Sequence, residues 1–62
     1  MRLNIEIYLD NSAFGETDKD RADEVAAILN TVLGHIVWED TLVPRALYDS
    51  NGNTVGALTI TG

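Results

Sequence analysis

The chain has no cysteine. That excludes disulfides and thiolate metal sites, two of the usual supports of a very small fold, and it fits a reducing compartment. There is one histidine, His35, whereas a zinc site ordinarily draws on several His or Cys ligands. Cations are scarce as well: four Lys and Arg against ten Asp and Glu leave a formal charge of −6. Nucleic-acid binding depends on Lys and Arg displacing counterions, and adhesion to an anionic membrane surface needs the same residues. Neither is expected. No segment approaches the roughly 20 apolar residues of a membrane span, and the first apolar stretch alternates with polar residues, unlike the h-region of a signal peptide. The expectation is a soluble, cytoplasmic protein. Gly15, Gly34, Gly52, Gly56 and Gly62 are scattered, so no glycine-rich phosphate loop exists.

What is present fits one domain over residues 1–62. A chain this short buries only about 60% of its unfolded surface and is marginal alone. With disulfides and a zinc site set aside, good packing or a partner subunit must supply the difference. The acidity keeps so small a protein soluble. It leaves a basic protein surface as the charged partner that fits.

Leu3, Ile5, Ile7 and Leu9 alternate with Asn4, Glu6, Tyr8 and Asp10. This is the period of a strand with one buried face. Asp10-Asn11-Ser12 ends it, because these side chains compete for backbone hydrogen bonds. Phe14, the single Phe, is expected to cover one end of the core. A helix then starts near Thr17 or Asp18, either of which can cap its free N–H groups. Asp20, Asp23 and Glu24 suit the positive end of its dipole. Ala22, Val25, Ala26, Leu29, Val32, Leu33 and Ile36 recur at helical spacing and predict the face aimed at a sheet. Gly34 reads as the residue that ends the helix, near position 33. Within residues 35–44, Ile36 to Trp38 read either as a short strand or as an extended connection, and Pro44 suits an edge, turn or strand start.

Asn51-Gly52 between two β-prone runs predicts a hairpin with a two-residue type I′ turn. In that register Tyr48 faces Val55 and Leu47 faces Gly56. Leu47, Gly56, Leu58 and Ile60 then share the core face, with Gly56 allowing close approach of the helix. Ala46, Tyr48, Val55, Ala57 and Thr59 share the other. The predicted class is α+β: a β-α-β-β chain whose three-stranded sheet carries one helix on one face. The first strand is expected to pair with the last.

Few residues suggest chemistry. Asp49-Ser50-Asn51-Gly52-Asn53 faintly resembles a calcium loop. An EF-hand needs Gly at its sixth position and Glu at its twelfth, and counting from Asp49 the fourth is Gly52 and the twelfth Ile60. His35 has no nucleophile motif beside it, and Glu39-Asp40 lack the partner set of an acid/base pair. No catalytic residue, cofactor or metal is expected. Asp18, Asp20, Asp23 and Glu24 can line one side of a helix as an acidic face, although Lys19 and Arg21 interrupt it. Tyr8, Tyr48, Val55 and Ala57, with Trp38, are the interface candidates, since aromatics are enriched in binding cores. The four sheet residues fall on the outer face. A monomer would expose them together, so a homodimer is expected, built by pairing two sheets face to face or two edge strands side by side.

Three segments carry a resemblance: Leu3-Asn4-Ile5-Glu6-Ile7 leading to Asp10-Asn11-Ser12-Ala13-Phe14; Glu24-Val25-Ala26-Ala27-Ile28-Leu29; and Leu47-Tyr48-Asp49-Ser50-Asn51-Gly52-Asn53-Thr54-Val55-Gly56. Together they resemble short, uncharacterised proteins of bacteriophages and prophages, with residues 35–44 unmatched. The hairpin motif is structural and transfers no active site. The resemblance implies a host-cell cytoplasmic setting and a non-enzymatic protein that binds, and in such a setting inhibits, a host protein. The competing expectation is a small assembly module that self-associates through its sheet.

Overall fold

The computed structural model describes residues 1–62. Strand β1 spans Arg2–Ile7 and is followed by a 3-10 turn over Ser12–Phe14. Helix α1 spans Asp18–Glu39, and strands β2 and β3 span Arg45–Tyr48 and Thr54–Thr61. The sheet order is β1-β3-β2, antiparallel throughout, with β3 in the centre. The small α+β architecture and the pairing of the first strand with the last are those expected from the sequence.

Thr17 caps α1: its backbone is extended and its Oγ1 accepts the Asp20 N–H at 3.1 Å. The helix does not stop at Gly34. It continues to Glu39 and ends on Asp40, which takes a left-handed conformation at φ 54° and donates its N–H to the Ile36 carbonyl at 2.9 Å. Glycine inside a helix costs about 1 kcal/mol, and one further turn of core contact outweighs that. Ile36 packs against the core cluster. Residues 35–39 are therefore helix, not strand or extended connection.

The helix is also rotated from its expected orientation. Ile28 and Val32 are buried, with Val25 and Ile36 packed beside them. Leu29 and Leu33, expected in the core, are 41% and 57% exposed. The apolar residues of α1 cover a broad arc, and only one half of it meets the sheet. Phe14, Leu47, Val55 and Leu58 complete the buried core.

The hairpin turn differs in type. Gly52 N–H donates to the Asp49 carbonyl at 3.0 Å and Asp49 N–H to the Asn53 carbonyl at 2.9 Å. Gly52 has φ 84° while Asn51 is not among the positive-φ residues. This is a three-residue loop in which a type I turn leads into a glycine bulge, not type I′. Tyr48 consequently faces Thr54, and a second irregularity between Leu47 and Tyr48 restores the expected pairing of Leu47 with Gly56. Val55 is the extra residue there, where strict alternation of faces is interrupted. It is 4% exposed and belongs to the core rather than to an outer patch.

Gly56 serves a different neighbour from the one expected. A Cβ at this position would stand 1.8 Å from the Glu6 carbonyl oxygen and 3.0 Å from the Ile7 Cα. The element that approaches closely is strand β1, not the helix.

Candidate functional site

The acidic residues of α1 are locally engaged. Asp18 pairs with Arg21 at 2.6 Å and Lys19 with Asp23 at 2.8 Å, one helical turn apart in each case. The bond to Asp23, and then its charge, raise the Lys19 pKa. Glu24 turns to the hairpin instead. Its two carboxylate oxygens accept the Ser50 N–H at 2.7 Å and the Ser50 hydroxyl at 3.1 Å. Asp20 lies in the first turn, beside Gly15. Of the four acidic candidates, Asp20 alone has a carboxylate with no hydrogen-bond or ion-pair partner.

Asp49 is a structural residue that the sequence does not single out. It is 6% exposed, and its Oδ1 accepts the N–H groups of both Asn51 and Asn53 at 2.9 Å. Those bonds hold the turn, and Oδ2 is buried without a partner. No group of three or more His, Asp or Glu side chains converges as a metal site.

A groove of about 220 Å³ runs between α1 and β2, lined by Ile28, Val32 and Leu47 with Thr31, His35 and Arg45. The Thr31 hydroxyl donates to the Ala27 carbonyl at 3.2 Å, and Arg45 binds both oxygens of Glu39 at 2.8 and 2.5 Å. His35 has no hydrogen-bonded carboxylate or hydroxyl beside it, so the groove holds no nucleophile–base pair of the kind covalent catalysis requires.

The interface candidates are dispersed. Trp38 is on the last turn of α1 and 90% exposed. Tyr48 and Tyr8 are exposed on β2 and just beyond β1. The Tyr8 hydroxyl donates to Glu6 at 2.7 Å, and this bond, followed by the Glu6 charge, holds the phenol above its ordinary pKa. Ala57 is half-buried opposite Glu6, and Val55 is in the core. The outer sheet face also carries Asn4, whose amide donates to the Thr61 hydroxyl at 3.2 Å. It is a mixed face and not one apolar patch.

The larger apolar exposure is on the helix side. Leu3, Ile5 and Ile7 share the face of Gly56, Leu58 and Ile60, with which they pair. Leu3 and Ile5 are nonetheless 45% and 41% exposed. The reason is the placement of α1. Its Ile28, Thr31 and His35 flank β2 across the groove, so at 100° per residue Leu29 and Leu33 lie on the opposite flank, toward β1. By this helical geometry the exposed Leu3 and Ile5 of β1 and the exposed Leu29 and Leu33 of α1 fall on one side of the molecule, as floor and wall of an open apolar cleft inferred from their placement. Val37, 69% exposed, continues the wall along α1. The outer edge of the floor is the unpaired side of β1. Sequence periodicity puts Leu3, Ile5, Leu29 and Leu33 in the core. What it lacks is the lateral position of the helix over the sheet.

No family model matches the chain, and no curated protein or solved structure is similar enough to match it. No helix is long and apolar enough to cross a membrane.

Proposed function

We propose that this chain is a non-enzymatic protein-interaction module, working through the open edge of β1 and the apolar cleft beside it. The observation that carries the reading is the exposure of Leu3 and Ile5 on an edge strand together with that of Leu29 and Leu33, on the helix flank turned toward it. Unpaired edges recruit strands from other chains, and large exposed apolar patches mark interaction sites. The acidic start of α1 supports binding to a basic host protein less well. Asp18 and Asp23 are matched by cations within the helix, and Glu24 is committed to the hairpin. A bacteriophage setting with a host-protein target is compatible with the cleft as the contact surface. Between the two expectations of the sequence, assembly through the sheet is the better supported.

The test is a pair of chains. Leu29→Lys/Leu33→Lys changes two exposed positions and is expected to keep the parental near-ultraviolet circular dichroism. Each chain is biotinylated, immobilised and offered bacterial lysate supplemented with purified parent chain. The parent is expected to retain a stoichiometric protein partner, and the double variant to lose it. Equal retention of the same proteins by both chains would overturn the reading.

A further inference from the structure

We infer that the partner of this cleft is a second copy of the chain, joined antiparallel along β1 with Asn4 on the two-fold axis. The inference rests on the reading above and names its occupant. It comes from the phase of the free hydrogen-bonding groups. In an antiparallel ladder, opposite residues alternate between pairs that exchange both main-chain bonds and pairs that exchange none. Tyr8 N–H donates to the Val55 carbonyl at 2.7 Å, continuing the register of the β1–β3 ladder. The even-numbered residues of β1 therefore direct their main-chain groups to β3. Leu3, Ile5 and Ile7 direct theirs to the open edge.

A second β1 must present its odd-numbered residues to these. Four registers pair three or more residues of β1: Leu3 opposite its own copy, Ile5 opposite its own copy, Leu3 opposite Ile5, or Ile5 opposite Ile7, the last of which sets Glu6 against Glu6. The first sets Arg2 against Asn4. The second sets Asn4 against Glu6 and Arg2 against Tyr8. The third sets Arg2 against Glu6, twice by symmetry, with Asn4 facing itself. Three of the four cations, Lys19, Arg21 and Arg45, already have ion pairs within the chain, and Arg2 has none. Glu6 is engaged only by the Tyr8 hydroxyl. The edge is thus complementary to itself in charge and in hydrogen bonding.

A two-fold axis perpendicular to the sheet makes it six-stranded and keeps both helices on one face. Leu3 and Ile5 of the two copies become a continuous floor, and the Leu29–Leu33 flanks face one another across it. The contact is isologous, so the same residues serve both sides. A foreign strand would satisfy the edge, but it would also need an apolar flank and a matched Arg and Glu at this spacing. The chain itself carries all of these. Its dimensions agree with an incomplete unit. It exposes 4448 Å², where a monomer of its 6.8 kDa mass is expected to expose roughly 4,000 Å². Its radius of gyration is 12.1 Å, against about 10.6 Å for a compact chain of its length.

The test uses the purified full chain. Asn4 falls in a non-hydrogen-bonded pair with its own copy, at a Cα separation of about 4.5 Å that a disulfide spans. Asn4→Cys is expected to cross-link into a dimer under mild oxidation. Thr59→Cys, on the same face but on the central strand, is not. Sedimentation is expected to show a parental dimer. Arg2→Glu should weaken it about ten-fold, the loss of two cross-strand charge pairs. Arg2→Glu/Glu6→Arg should return it to within about three-fold of the parent. A parental monomer at high micromolar concentration, cross-linking of Asn4→Cys no faster than of Thr59→Cys, or failure of the charge swap to restore association would each overturn the inference. If the purified chain is a monomer while Leu29 and Leu33 still govern capture of another protein, this inference falls and the module reading stands. If capture is also indifferent to Leu29 and Leu33, both fall.

Discussion

Gly56→Ala is expected to be among the most damaging single-methyl additions this chain can receive. The new Cβ would stand 1.8 Å from the Glu6 carbonyl oxygen and 2.8 Å from its carbon, both main-chain atoms of a paired strand. A flexible side chain could swing away, but Glu6 cannot move without opening the β1–β3 ladder. Added bulk in a well-packed site costs about 1–3 kcal/mol, and displacement of ladder hydrogen bonds adds to it. A chain of this length has a total stability of roughly 3–9 kcal/mol at the usual value per residue. One methyl group should therefore remove a third or more of it. Gly34→Ala is the matched control. It adds the same atom inside α1, with nothing within 4 Å of the new Cβ, and should stabilise by up to about 1 kcal/mol through helix propensity. Urea denaturation of parent and both variants, with equal slopes, reads the two effects directly. The expected midpoints fall on opposite sides of the parent. A Gly56→Ala midpoint at or above the parental one would refute the close approach of β1 to Gly56.

Leu58→Ala, which empties a site 2% exposed, should cost about 2–5 kcal/mol, whereas Leu29→Ala, at a site 41% exposed in the single chain, should stay within about 1 kcal/mol at dilutions where the chain is a monomer; thermal melts of the two separate them. Gly52→Val forces a β-branched residue to φ 84° and should lower the melting temperature well below that of Ser50→Ala, which loses only the hydroxyl contact to Glu24. Asp49→Ala should cost about 2 kcal/mol by freeing the Asn51 and Asn53 N–H groups, and Asp49→Asn, which keeps an acceptor oxygen, should cost less in the same melts. Glu6→Gln should lower the Tyr8 pKa toward its ordinary value. The Glu6 carboxylate accepts from the protonated phenol and repels the phenolate, so it favours the folded chain while Tyr8 is protonated and loses that preference as pH rises through the raised pKa. A spectrophotometric titration of Tyr8 in a Tyr48→Phe background reads it, and an unmoved curve would disprove the contact.

Local rules made much of this fold legible. The alternation of Leu3, Ile5 and Ile7 identifies β1, Thr17 identifies the helix start, and the long period of Val55–Thr61 explains why β3 is central. Two errors came from residues that satisfy more than one rule. Gly34 fits a helix terminus, but its cost inside a helix is smaller than the benefit of packing Ile36. Asn51-Gly52 fits a type I′ turn, yet it equally fits a type I turn in which Gly52 alone is left-handed. The buried Asp49 carboxylate, gathering the N–H groups of Asn51 and Asn53, accompanies the second outcome. Because the later bulge shifts the register back by one residue, Leu47 still meets Gly56, and the core face is the expected one except at Val55.

The cleft was hidden for a more general reason. Hydrophobic periodicity reports how wide the apolar arc of a helix is, not which part of it a sheet covers. In α1 the arc runs from Ile28 through Val32 and Ile36 to Leu29, Leu33 and Val37, about half the helix circumference at 100° per residue. The β2–β3 side of the sheet takes the first half, because Leu47, Val55 and Leu58 are there and the Arg45–Glu39 ion pair ties the end of the helix to β2. The second half is left above β1, whose Leu3 and Ile5 are equally apolar and exposed, while Ile7 packs on the core. Under the edge pairing proposed above, a further strand beside β1 would cover the exposed apolar residues of the helix flank and of the strand beneath it together.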